Sequence, residues 1–210
     1  MKNISKRELI AWAEFRNLNV KINEKQILSN INIDLNIGEN ILLLGPNGSG
    51  KSTFLKLLNR SIYPISSRNS SFRLFNKEDI NIWNLRKKIG FLYKDMEERV
   101  NKGVKLNDLI NSGFTGTFNA KYNKILSKGN IDNVENLIFE LDLVDIINQE
   151  FCSLSDGQKR RGMLARALVF EPNLLVLDEP FCNLDIKSNL ILNKTLSKLI
   201  DKSVNIIYVT

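Results

Sequence analysis

The strongest constraint on this chain is an eight-residue stretch, Gly45-Pro46-Asn47-Gly48-Ser49-Gly50-Lys51-Ser52, set between an apolar run and a helical pattern. Ile41–Leu44 is apolar on consecutive positions, which predicts a strand covered on both faces. On the far side, Phe54, Leu55, Leu57 and Leu58 recur at helical spacing. Strand, glycine-rich loop and helix together open an α/β unit. The loop fits the phosphate-binding pattern G-x-x-x-x-G-K-[ST]. Its glycines let successive backbone N–H groups turn into one concavity, and the helix that starts there directs its positive dipole end at the same point. The candidate nucleotide-binding residues are therefore Gly45, Pro46, Asn47, Gly48, Ser49, Gly50, Lys51, Ser52 and Thr53. Lys51 is expected to reach the β- and γ-phosphates, and the Ser52 hydroxyl to hold Mg²⁺.

Upstream of the loop, Leu18, Val20 and Ile22 alternate with polar residues, as do Ile31, Ile33, Leu35 and Ile37. Period-two alternation predicts strands with one buried face and one wet face. Further strands are expected at Phe72–Phe75 and Lys88–Tyr93. Between Asp95 and Gln149 no buried-strand run occurs; Val134, Leu137, Ile138, Leu141 and Val144 recur at helical spacing instead. The α/β pattern then resumes with a helix from Asp156 to Phe170, a buried strand at Leu174–Leu177, a helix N-capped by Asp185 and a strand at Asn205–Val209. The fold class expected is α/β: a P-loop NTPase core, with a mostly parallel sheet flanked by helices, a small antiparallel β part and an α-helical subdomain. The core is expected over 15–94 and 153–210, and the subdomain over 95–152.

Composition removes several classes. With two cysteines and no histidine in 210 residues, neither a zinc site nor a disulfide framework can be built. No apolar run approaches the roughly 20 residues of a membrane-spanning helix, and Met1–Ile10 lacks the apolar region of a secretory leader. The chain is expected in the cytoplasm. The net charge of +7 suits nucleic acid, an acidic membrane surface or phosphorylated ligands, but no Lys/Arg run exceeds three residues (Lys159–Arg161), which favours compositional drift over a nucleic-acid partner. Lys159, Arg160, Arg161 and Arg166 are expected to form a solvated basic helix face.

Two more motifs carry chemistry. The buried strand Leu174–Leu177 ends in Asp178-Glu179, which suits an aspartate on Mg²⁺ and a glutamate, the candidate catalytic residue, polarising the attacking water. Leu154-Ser155-Asp156-Gly157-Gln158 begins a helix, where hydroxyl and N–H groups can bind an anion. With these motifs in this order, the chain resembles the ATP-binding-cassette (ABC) ATPases over about Phe15 to Thr210. Residues 154–158 look like their signature motif and Asn183-Leu184-Asp185 like their D-loop. The resemblance implies ATP and Mg²⁺ as cofactors. It also implies a homodimer or paired cassette subunit in which Ser155, Gly157 and Gln158 contact the partner's ATP.

Three departures from the pattern stand out. Ile22 occupies the place of the usual adenine-stacking aromatic residue, leaving Phe15 or a residue of the opposing subunit as substitutes. No glutamine follows the Ile89–Tyr93 strand; Lys94 comes first, but Glu97 is the candidate third metal ligand, since a lysine cannot hold Mg²⁺ and a carboxylate can. No histidine follows Val209, so the chain is expected to continue past Thr210, and this stretch to bind ATP better than it hydrolyses it. Leu109–Phe114, with Gly116 and Tyr122, is similar to the insertion of molybdate-type and single-domain soluble cassettes.

The leading reading is an ATP-hydrolysing subunit, peripheral on the inner membrane face, that drives transport through a separate permease. The alternatives are a soluble cassette acting on nucleic acid or ribosomes, and a weakly hydrolytic ATP sensor.

Overall fold

β1 (Ala11–Ile22) and β2 (Lys25–Asn36) form an antiparallel hairpin closed by Asn23 and Glu24, both with positive φ, 48° and 60°. A two-residue turn of that hand matches the right-handed twist of the flanking strands. The structure, a computed structural model, describes residues 10–118 and 126–210; the N-terminal residues 1–9 and Tyr122 lie outside that set. The chain divides into two units, residues 1–85 and 86–210.

In the first unit, β3 (Ile41–Leu43) leads through the glycine loop into α1 (Lys51–Leu58), and β4 (Ser71–Leu74) follows. β1 lies between β2 and β4 in an antiparallel sheet, with Phe15 opposite Ile33 on one side and Phe72 on the other. Phe15 is fully buried, its ring stacked on Phe72 at 4.8 Å and tilted by 32° against Phe54 of α1 at 5.1 Å. The expectation that Phe15 could stack on adenine is therefore corrected: its ring is shut off from solvent in the core, against Phe72 and Phe54. Asn17, at φ 49°, breaks the register, so that Ala13, Phe15, Leu18 and Val20 all point into the core. β2 buries Leu28 and Leu35 but leaves Ile33 and Ile37 exposed. The expectation of a doubly covered Ile41–Leu44 also fails. Leu42 and Leu44 stand 58% and 64% exposed, because among the described residues nothing packs over that face.

α2 (Ile82–Lys88), which has no periodic apolar pattern and buries only Leu85, spans the boundary between the units. In the second unit, β5 (Ile89–Leu92), β6 (Leu174–Asp178) and β7 (Asn205–Val209) form a parallel sheet with β6 central. Leu174–Leu177 are buried, as a strand flanked on both edges and covered by helices requires. α3 (Leu106–Asn111) and α4 (Lys128–Glu140) make up the helical region, and α5 (Asp156–Leu168) leads to β6. α6 (Ile186–Asp201) joins β6 to β7 and buries Leu192 and Leu196, with Leu190 and Ile200 exposed.

Candidate functional site

The candidate residues fall in both units. In the first, Gly48 and Gly50 adopt φ of 81° and 97°, conformations that a side chain strains, and Gly50 is the N-cap of α1. A Cβ on Gly50 would also lie 2.8 Å from the Leu28 side chain, so β2 backs the loop closely. The first turn of α1 is Lys51, Ser52 and Thr53, the run whose N–H groups a helix leaves unbonded by its own carbonyls. The Lys51 ammonium donates to the carbonyls of Gly45 and Pro46, the latter at 3.2 Å, which lays its side chain over the loop. Ile22, at the end of β1, is 38% exposed.

In the second unit, β6 ends at a half-buried Asp178, and Glu179 turns to φ 46°. A glutamate in the left-handed region is uncommon and marks a constrained turn. Its N–H donates to the Val209 carbonyl at 3.0 Å, which ties it to the end of β7. The Tyr208 phenol is pushed up by burial, and further by the negative charge of Glu179.

α5 starts with a capping box. The Gln158 N–H donates to the Ser155 hydroxyl oxygen at 3.3 Å, and the Ser155 N–H donates to Gln158 Oε1 at 2.9 Å. The Ser155 hydroxyl proton and the Gln158 amide donors are not consumed by that box. Gly157 is buried against the cap of α6. There the Ser188 N–H donates to Asp185 Oδ1 at 2.8 Å and its hydroxyl to Oδ2 at 2.7 Å. The same two bonds, the backbone one first, hold the Asp185 carboxyl below the usual range. The Asp185 N-cap read from sequence is thus present, and it touches the signature turn.

The basic face is corrected. Arg160, Arg161 and Arg166 are buried, because each finds an acceptor far away in sequence. Arg160 Nε lies 3.2 Å from Glu97 Oε1. Arg161 donates to Asp142 Oδ2 at 2.9 Å, and Lys187 reaches the same oxygen at 2.7 Å. Arg166 donates to the Ser112 hydroxyl and the Thr117 carbonyl and lies over the Phe118 ring at 4.0 Å. Burial, then the charge of Arg86, pushes the Arg166 guanidinium down to about 10. Glu97, the candidate metal ligand, thus faces Arg160; burial raises its carboxyl against the opposing pull of that guanidinium. Spacing along the chain offers no signal for such pairs.

The ABC transporter family profile matches residues 28–182. The chain is 33% identical over 174 residues to the uncharacterized ABC transporter ATP-binding protein YmeB of Lactococcus lactis, covering 81% of this chain and 65% of that protein. It is 31% identical over 190 residues to the energy-coupling factor transporter ATP-binding protein EcfA1 of Lactobacillus acidophilus, covering 89% of this chain and again 65% of the relative. The chain thus spans just under two thirds of the length of these relatives. Its fold is similar to that of cbiO1 from Clostridium perfringens, part of the ABC transporter complex cbiONQ, with a TM-score of 0.75 and 26% identity over 96% of this chain and 78% of that one. The profile match over residues 28–182, most of the chain, together with these ATP-binding relatives, places the chain in the ABC transporter family.

Proposed function

We propose that this chain binds and hydrolyses ATP as the cassette subunit of a transporter, pairing with a second cassette around the nucleotide and driving a separate membrane permease. The observation that carries this reading is the loop 45–52, with Gly48 and Gly50 in the left-handed region and α1 starting directly behind it. Backbone N–H groups there converge where a triphosphate tail would lie, and the dipole of α1 adds to their pull. The Lys51 ammonium exchanges the Gly45 and Pro46 carbonyls for phosphate oxygens.

Ser52 and Asp178 are the residues that would hold Mg²⁺. A hydroxyl and one carboxylate suit an ion that keeps its waters and takes phosphate oxygens as further ligands. When bound, the ion neutralises charge building on the β- and γ-phosphates. Glu179 accepts the proton of the attacking water, and its backbone bond to Val209 anchors the turn that carries it. From a second copy, the Ser155 hydroxyl, the Gly157 N–H and the Gln158 amide close on the γ-phosphate, assisted by the N-terminal end of the α5 dipole. Among the described residues no helix is long and apolar enough to cross a membrane, which accords with a partner supplying the path.

Lys51→Ala is expected to weaken ATP binding at least about tenfold, as loss of charge-assisted bonds requires. Glu179→Gln is expected to keep ATP affinity and to accumulate an ATP-held pair visible by light scattering. Equal ATP affinity in wild type and Lys51→Ala overturns the reading.

A further inference from the structure

The first two turns of α5 are held from several directions at once. On one side Arg160, 6% exposed, meets Glu97 in the 3-10 turn (Lys94–Arg99) that follows β5. The same guanidinium donates to the Tyr93 carbonyl at 3.5 Å. Asp156 and Lys159, in the opening turn of α5, also lie close enough to act on the Glu97 charge. On the other side, the adjacent Arg161 is held by Asp142, which Lys187 shares. Gly157 rests against Asp185 and Ser188.

The chemistry of the Glu97–Arg160 pair is informative. Its two closest atoms, Glu97 Oε1 and Arg160 Nε, are both shut off from solvent, yet neither makes an aligned hydrogen bond. A buried ion pair with incomplete hydrogen bonding recovers little of its desolvation cost, so net stability is a poor explanation for it. Fixing one element in register against another is the best-attested use of such a pair. A carboxylate facing a guanidinium on the signature helix is also badly placed to serve as a metal ligand.

We propose that Glu97 and Arg160 are positioning residues whose buried ion pair fastens α5 to the segment after β5, and so sets the stance of the Ser155–Gln158 turn toward a second copy's nucleotide. The stance of the turn follows from the geometry alone; its consequence for pairing rests on the function proposed above. Glu97 acts through Arg160, and Arg160 through the helix, so neither need touch ATP.

The test uses the chain as it stands and its Glu97→Gln, Arg160→Met, Arg160→Lys and Glu97→Gln/Arg160→Met variants. Amide exchange without nucleotide is the first readout. The amides of Gln158–Gly162 are expected to exchange about tenfold faster in Glu97→Gln and in Arg160→Met, with no further gain in the double variant and near wild-type rates in Arg160→Lys, while the amides of β6 hold their protection. In the second readout, ATP affinity stays at the wild-type value, and ATP-driven pairing falls about tenfold in the same variants. Unchanged exchange in α5 overturns the proposal, as does faster exchange in α5 and β6 alike, which is general loosening. A higher Mg²⁺ requirement for ATP binding in Glu97→Gln but not in Arg160→Met also overturns it, by making Glu97 a metal ligand. Failure of the parent reading is seen separately, in the Lys51→Ala comparison, and leaves the exchange result standing.

Discussion

A methyl group added to Gly157 would land on the hydroxyl of Ser188, which is itself bonded to the Asp185 carboxylate. Gly157 therefore has a packing duty within the chain itself, separate from any contact with nucleotide. Two effects of opposite sign meet in Gly157→Ala. Helix propensity favours alanine by about 1 kcal/mol, whereas overpacking against a fixed neighbour costs about 1–3 kcal/mol. The short, doubly bonded Ser188 cannot swing away, so packing wins. The variant is expected to lose about 1–2 kcal/mol in urea denaturation. A more stable Gly157→Ala would show that Ser188 yields.

Asp142 accepts from Lys187 and Arg161, and these bonds, that of Lys187 first, hold its carboxyl below the ordinary range. A carboxyl lowered in the folded state adds stability above its unfolded pKa, near 4, and loses it as pH falls through the folded value. Half of the Asp142 side chain is exposed, so screening keeps the effect small. Asp142→Asn is expected to cost about 1 kcal/mol at pH 7. The gap to wild type should close below pH 4 when both are unfolded with urea across that range. A constant gap would mean that the carboxylate charge contributes nothing.

Arg166 has no salt bridge among the described residues, only Ser112, Thr117 and the Phe118 ring. Its charge is thus costly to keep and its bulk is useful. Replacing it with methionine is expected to change stability by less than about 1 kcal/mol, since similar volume is retained and desolvation relieved. Arg166→Ala, which leaves a void, is expected to cost about 2–4 kcal/mol. Calorimetry of the two variants side by side checks the ordering; equal losses would make the charge, not the packing, the important property.

Several local features of the candidate site were legible because each depends on neighbours along the chain. The loop glycines, the apolar β6 ending in two acids, and the Asp185 cap all declare themselves within a few residues. Burial of the arginines was not legible. A run of cations reads as a wet face, and the acceptors that overturn this lie 19 to 67 positions away in Asp142, Thr117, Ser112 and Tyr93. Phe15 misled for a related reason: an aromatic residue near a nucleotide motif invites a ligand role until Phe54 and Phe72 are seen to pack against it in the core. α2 escaped because seven residues with one buried side chain carry no period.

The contact of the Phe15 ring with both Phe54 and Phe72 has one more implication. Aromatic pairs of this kind add about 0.5–1.5 kcal/mol each beyond their burial, and here they tie Phe54 of α1 to β1, and β1 to β4. Any tug on the start of α1 is passed through these rings to the antiparallel strands. The hairpin is, in mechanical terms, the anvil beneath the phosphate loop.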